Sequence, residues 1–412
     1  MGDWKEKGIG KIAHFSQGIQ VPIEMQKAIR EFGDVRFIRI VDYTQNNQEE
    51  RFINNPGEKY IVSKSDIVMV RYGTPGLIGR GINGAIANNM FKINPDEDVI
   101  SKDYLSCFLN QNHIQKLLSE GSGSTTMAAL NFSFLNTILV VFPESKKEQS
   151  TISTILTTID QAIEKTEQLI AKYERIKTGL MQDLLTRGID EQGNIRSEET
   201  HEFKDSPLGR IPKEWEVKKI KEIFLLDPDR KPNELKEIDY ISINDVEYPN
   251  QILRFSSYNS KNAPSRAQRL IKHGDVLISN VRPYLRAFAI VPEKYDDFVC
   301  STGFTVIRST EFDSHLLLNF CLSKFFINQL NIVMSGSNYP AVNKSQIGNC
   351  LIFVPPYNEQ LQIVEIIQNT NISIKRMTNE LKKMESIKQA LMQDLLTGKV
   401  RVDALMNQNS IS

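Results

Sequence analysis

The septet LMQDLLT occurs at Leu180–Thr186 and again at Leu391–Thr397, 211 residues apart, each time shortly before a glycine, Gly188 or Gly398. Sliding the chain by the same interval puts Trp4 on Trp215, Ile9 on Ile220, Ile12 on Ile223, Leu105 on Leu316 and Glu148–Gln149 on Glu359–Gln360. A shift of 212 lays Gly123–Pro143 over Ser335–Pro355, and one of 209 lays KSDIVMV over HGDVLIS. Repeats on this scale override every single-core reading. The chain is a duplication, and its 412 residues already exceed one ordinary core.

Each copy runs in the same order: a strand-rich stretch, then a long helix. KYIVSKSDIVMV, AIANNMFKI, NTILVVF, DYISI, GDVLIS, FAIV, FTVI and CLIFV are short, β-branched or aromatic, and bounded by Gly, Pro, Asn or Asp, which predicts strands. DYLSCFLNQNHIQKLLSEG and DSHLLLNFCLSKFFINQLN carry helical spacing between them. The expected fold is therefore two similar mixed α/β (α+β) domains, 1–144 and 212–357, with long helices over 145–187 and 358–398, a connector over 188–211 and a tail over 399–412.

From Glu148 the first helix has no Pro, and no Gly before Gly179. With Ile152 at position a, Ile159, Thr166, Tyr173 and Leu180 repeat a, Leu156, Ile163, Ile170 and Leu184 supply e, and Ile155, Leu169 and Ile176 supply d. The second copy places Ile363, Thr370, Met377, Met384 and Leu391 at a and Ile367, Ile374, Leu381 and Leu395 at e. Ser145 to Glu148 spells a capping box, in which hydroxyl and carboxylate both serve free backbone donors, and Gly188 and Gly398 stand where a left-handed cap is wanted. A helix of roughly 39 residues is about 58 Å long, too long for one small domain to cover. Its stripe needs a partner of similar length, so the two helices should pair as an antiparallel coiled coil in a pseudo-twofold molecule. Gly188–Asp205 carries six acids against two bases, which suits an exposed connector.

Chemistry-bearing motifs fail on inspection. Gly79–Gly84 matches G-x-G-x-x-G, but AIANNMFKIN after it reads as a strand where a dinucleotide turn needs a helix. Gly76–Gly81 has P-loop glycine spacing with Ile82 and Asn83 in place of Lys and Ser/Thr. Val354–Tyr357 is similar to the (N/D)-P-P-Y turn of amino-group methyltransferases, yet valine cannot accept the amine's hydrogen bond. DPDRK at Asp227–Lys231 reads as a turn. His14, His113, His201, His273 and His315 are scattered without metal spacing, and Cys107, Cys300, Cys321 and Cys350 form no C-x-x-C pair, which predicts reduced thiols and a cytoplasmic setting. The N-terminus lacks an apolar signal core, and no run approaches the ~20 apolar residues of a membrane span.

Charge is balanced overall, 50 Lys and Arg against 50 Asp and Glu, so any polyanion must be met by local patches. Gln251–Lys294 is one, with Arg254, Lys261, Arg266, Arg269, Lys272, Arg282, Arg286 and Lys294 against Asp275 and Glu293, and Tyr258 and Tyr284 between them. Lys59–Ile93 is its weaker counterpart, with Lys59, Lys64, Arg71, Arg80 and Lys92 against Asp66. Arg beside Asn, Gln, Ser and Tyr is the set that contacts phosphates and base edges, as in TQNNQEER, RFSSYNSKNAPSRAQR and NVRPYLR. The candidate DNA contacts are Asn46, Asn47, Arg51, Arg71, Arg80, Ser124, Thr125 and Asn131 in the first copy, and Arg254, Tyr258, Lys261, Arg266, Arg269, Arg282, Tyr284, Arg286, Ser337, Asn338 and Asn343 in the second.

In this order of parts the chain resembles the specificity (S) subunit of type I DNA restriction-modification systems, over its whole length. Each domain opens near a Trp (GDWKEKGIGKI; GRIPKEWEVKKI) and closes with a G-S stretch followed by a Φ-N pair (GSTTMAALN; GSNYPAVN), a Pro and E-Q, before a helix ending LMQDLLT. The register of Gly123, Ser124 and Thr125 against Ser335, Gly336 and Ser337 slips by one. The resemblance implies two target-recognition domains, each reading one half of a split double-stranded DNA target at a separation set by the helices. It also implies two methyltransferase subunits docked on those helices, motor-nuclease subunits joining through them, S-adenosylmethionine held by the methyltransferases, and no cofactor or catalysis in this chain. Two rival readings are a DNA-modifying enzyme with unfamiliar motifs and a coiled-coil scaffold without DNA.

Overall fold

The computed structural model describes residues 4–45, 48–121, 129–247, 251–336 and 340–402. The chain divides into two compact units that do not follow the sequence repeat: Met1–Gln168 with Asn379–Ser412, and Leu169–Thr378. Each unit holds one α/β lobe, the start of one long helix and the end of the other.

In the first unit, one four-stranded sheet runs in the order Ala13–Gln17, Met90–Pro95, Ile67–Val70, Ile78–Gly79, and a second in the order Arg51–Asn54, Asp34–Ile38, Gly84–Ile86, Ile61–Val62. The second unit repeats both: Leu225–Leu226, Phe304–Arg308, Val276–Ser279, Phe288–Ile290, and Ser256–Asn259, Glu237–Ile241, Val299–Ser301, Ala267–Leu270. Even the parallel pair recurs, Asp34–Ile38 with Gly84–Ile86 and Glu237–Ile241 with Val299–Ser301. Duplication has thus preserved topology where little sequence identity is visible.

Ile67–Val70 explains why a central strand reads as an unbroken apolar run. Ile67 and Met69 face a core shared with the helices Lys102–Leu109 and Asn112–Glu120, whereas Val68 and Val70 face the core of the second sheet. Val276 and Ile278 divide from Leu277 in the same way. The residue before each strand is an aspartate that closes a turn: Asp66 accepts from the Ser63 amide and pairs with Lys92 and Lys102, and Asp275 accepts from the Lys272 amide and pairs with Arg308. Burial pushes the Asp66 carboxyl up, but the Lys92, Ser63 and Lys102 hydrogen bonds outweigh it and hold the group well below the usual carboxylate range.

The long helices are Lys146–Leu184 and Tyr357–Leu395. Ile152 and Leu156, near the start of the first, share a core with Met392, Leu395 and Leu396, and Asp160 pairs with Lys388. In the second unit Leu184 and Leu185, at the end of the first helix, share a core with Ile363, Val364 and Ile367, near the start of the second. The helices therefore pack together antiparallel. Their seam is narrower than the expected stripe. The a and e residues Ile159, Ile163, Ile170, Leu180, Leu381 and Leu391 are half-buried and Ile374 is buried, but the d residues Leu169 and Ile176 are 42% and 47% exposed. Residues spaced four and three apart keep to one seam, and adding d widens the stripe beyond what a single helix partner covers.

The repeated E-Q pair ties each helix start to its lobe. Gln149 accepts from the Ser101 amide (2.8 Å) and donates to Val99 and Pro143, and Gln360 accepts from the Asp313 amide (3.0 Å) and donates to Pro355. Ser101 and Asp313 are the N-caps of matched helices, Lys102–Leu109 and Ser314–Leu322. The capping box is only half formed. Ser145 Oγ receives the Glu148 amide at 3.3 Å, but the buried Glu148 carboxylate takes Arg401 Nε and Nη2 at 2.7 and 2.9 Å, since a full charge outcompetes a neutral backbone donor. Glu359 likewise receives Arg196, Trp215 Nε1 (3.0 Å) and the Ile189 amide (2.9 Å).

The connector is also more than an exposed link. Ile189 and Ile211 are buried in the second unit's core, and Phe203–Ser206 pairs with Gly209–Pro212 as a hairpin. Its acids lie outward while its few apolar residues anchor it. Among the described residues no single helix is long and apolar enough to cross a membrane.

Candidate nucleic-acid interface

Two of the segments singled out by residue type meet at one end of the first sheet in each lobe. In the first lobe, Tyr72 bridges to Ala129 and the Leu130 amide donates to the Arg71 carbonyl; in the second, Val281 bridges to Ala341 and the Val342 amide donates to the Asn280 carbonyl. Matched positions thus join the loop after Ile67–Val70, or after Val276–Ser279, to the end of the small hydroxyl-rich loop. The backbone is the same; the side chains are not.

The first lobe presents amides and an aromatic there. Arg71 donates through Nε to the Leu130 carbonyl and through Nη1 to Gln17 Oε1, both at 3.1 Å, and lies over Phe132. Gln17 Nε2 donates to the Asn88 carbonyl, Tyr72 Oη to Asn88 Oδ1 (3.2 Å), and Asn88 Nδ2 to Gln20 Oε1 (3.4 Å). The second lobe presents the exposed Arg282 and Tyr284 and the half-buried Arg286 around the short turn Pro283–Leu285. Both arginines sit in the left-handed region, at φ 47° and 54°. Asn280, two residues before Arg282, accepts at Oδ1 from Thr305 Oγ1 at 2.7 Å.

Other candidates are scattered or engaged. Arg80 holds the Ser65 carbonyl and Asp103, Arg51 pairs with Glu49, and Arg254 pairs with Asp245. Arg269 is 17% exposed on its pairing with Asp227, which leaves it a structural partner within the second sheet's edge. Asn131 and Asn343 cap matched short helices, accepting from Phe134 and Gln346. Tyr258 packs edge-on against Tyr240, and Lys261 and Arg266 are exposed. Asn46, Asn47, Ser124, Thr125, Ser337 and Asn338 lie outside the described residues. Gln17, Gln20, Tyr72 and Asn88 were not among the sequence candidates; the amide-rich SQGIQ, and ANN within the predicted strand stretch AIANNMFKI, were the signal available.

The cysteines are free, and burial pushes the Cys107 and Cys350 thiols up to about 12, far from a reactive thiolate. Among the described residues no group of three or more His, Cys, Asp or Glu could hold a metal ion.

Twin lobes of one topology, unlike in side chains at one sheet end, each carry the start of one long helix and the end of the other. The family model for the type I restriction modification DNA specificity domain matches this chain twice, over 1–175 and 212–386, and the chain belongs to that family. It is similar to the type I restriction enzyme MjaVIII specificity subunit of Methanocaldococcus jannaschii, 23% identical over 98% of this chain and 94% of the relative. The MjaIX specificity subunit of the same organism is 24% identical over 98% and 95%. The crystal structure of a type I restriction-modification S subunit from M. genitalium shares the fold at a TM-score of 0.59 and 15% identity, covering 95% of this chain and 96% of that one.

Proposed function

We propose that this chain is the non-catalytic DNA-recognition subunit of a type I restriction-modification complex, in which each lobe reads one half of a bipartite double-stranded target. The observation that carries the reading is the matched sheet end, one backbone with two side-chain sets, as two unlike half-sites require. The paired helices set the spacing between half-sites and dock two methyltransferase subunits, which bind S-adenosylmethionine and through which the motor-nuclease subunits join. Exposed Leu169, Ile176, Leu361, Ile372 and Ile387 on the helices support a covering partner, since single apolar residues are ordinary but a series along paired helices is not.

The test is a helical insertion. Lengthening both helices by one turn at matched positions should change the preferred half-site spacing by about 1 to 2 base pairs, from ~5.4 Å per turn against ~3.4 Å per base pair. Methylation mapped in cells carrying the partner subunits reads the spacing directly. An unchanged spacer would remove the helices as the ruler.

A further inference from the structure

The amide network of the first lobe leaves one side chain oriented and available. Gln17 is consumed: its oxygen accepts from Arg71 and its nitrogen donates to the Asn88 carbonyl. Asn88 is consumed as well, accepting from Tyr72 and donating to Gln20. Gln20 ends the relay, exposed, with its oxygen held by Asn88 and no partner for its nitrogen among the described residues.

The two residues before Gln20 are tied by their backbone. The Gly18 amide donates to Met90 and the Ile19 amide to Ile86, at 3.0 and 2.9 Å. A Cβ at Gly18 would lie 2.2 Å from the Ala87 carbonyl oxygen, so glycine is what lets this segment run against the strand end. Gln20 is therefore steered by the Asn88 bond and by the tied segment before it ahead of any ligand, which lowers the ordering cost of binding.

We propose that Gln20 reads an adenine in the major groove of the half-site bound by the first lobe; this rests on the reading of that lobe as a DNA reader. The carboxamide oxygen accepts from adenine N6 while the nitrogen donates to N7, the bidentate match that an amide makes with adenine alone among the bases. Guanine would set O6 against the carboxamide oxygen. The second lone pair of that oxygen stays open while Asn88 occupies the first. Ile23 and Met25, 83% and 64% exposed just beyond Gln20, are the side-chain type that meets the methyl group of the paired thymine. Tyr72 and Asn88 are positioning residues, acting on the base only through Gln20.

The experiment maps methylated sites for the complete complex carrying wild-type chain, Gln20→Ala, Gln20→Arg or Tyr72→Phe, with thermal unfolding of each chain alongside. Gln20→Ala should make one A·T position degenerate, with selectivity there falling about 5- to 150-fold, the range of one bidentate pair. Gln20→Arg should move the preference at that position to G·C, and Tyr72→Phe should relax the same position partially with an unchanged Tm. The assignment is overturned if Gln20→Ala leaves every position specified, or if the altered position was G·C in the wild type. Exchanging residues 1–144 for a relative's lobe separates the two levels. A changed half-site there with an unchanged Gln20→Ala map removes only Gln20, whereas two unchanged half-sites remove the lobe as a reader.

Discussion

Arg282 and Arg286 stand in a backbone region that costs a side-chain-bearing residue roughly 1–2 kcal/mol, and they do so around one turn at the candidate interface. Strain of this kind persists where function holds it. Arg286→Gly should raise the stability of the free chain by a few tenths to about 1 kcal/mol in urea unfolding, because relief of strain exceeds the extra freedom glycine gives the unfolded state. The same variant should weaken DNA binding by the assembled complex. A chain that is destabilised, or one that binds DNA unchanged, would contradict the assignment of Arg286 to DNA. At this scale the sequence was only partly legible. Residue type singles out NVRPYLR, but it does not reveal that Arg269 pairs with Asp227 or that Asn131 and Asn343 are helix caps. Those facts depend on tertiary partners, and so does the difference between Gln17 and Gln20, three residues apart.

At the scale of elements, periodicity made both long helices, the shorter lobe helices and the most apolar strands readable but passed over the more polar sheet strands Ala13–Gln17, Asp34–Ile38, Arg51–Asn54, Ser256–Asn259, Ala267–Leu270 and Val299–Ser301, and the septet now has a structural reason. Leu184 and Leu185 enter the core of the second lobe, and Leu395 and Leu396 that of the first. Beyond each helix end a left-handed glycine meets a tryptophan. A Cβ at Gly188 would lie 2.5 Å from the Trp215 ring, and one at Gly398 would lie 3.0 Å from the Trp4 ring. Helix one thus ends against the tryptophan of copy two, and helix two against that of copy one. Docking of a common partner is not needed to explain the repeated spelling of the leucines. Leu395→Ala, at a buried site, should cost about 2–5 kcal/mol in denaturant unfolding. Leu169→Ala, exposed on the same helix pair, should cost less than about 0.5 kcal/mol and instead reduce retention of the methyltransferase subunits. Equal losses of stability from both would dissolve the distinction between seam and docking face. Periodicity misplaced Leu169 because apolar spacing marks one side of a helix and not how much of that side a single helix partner covers.

For the whole molecule, each compact unit is built from parts of both copies, so neither half of the sequence contains a finished core. Residues 1–202 alone would carry the first lobe without Met392, Leu395, Leu396 and Val402, all buried in its core. The same fragment carries its own LMQDLLT and Gly188, which match the missing pieces in residue type, with the glycine one residue further from its septet than Gly398 is. Two such fragments can complete each other: the septet of each takes the place of the second copy's septet, and Gly188 of each lies against Trp4 of the other. The E-Q tie to Ser101 and Pro143 stays within each fragment, but the pairing of Glu148 with Arg401 is lost, leaving a buried carboxylate for Arg196 to meet from a different distance along the chain. The fragment should therefore form a twofold homodimer less stable per lobe than the full chain, its unfolding midpoint rising with protein concentration as dissociation and unfolding become one step. Sedimentation measures the stoichiometry, and with methyltransferase subunits added the dimer should methylate a palindromic target made of the first half-site twice. A folded monomer with a concentration-independent midpoint would show that the first lobe closes its core without a second septet, and the account of the repeat as an exchangeable closing piece would fail.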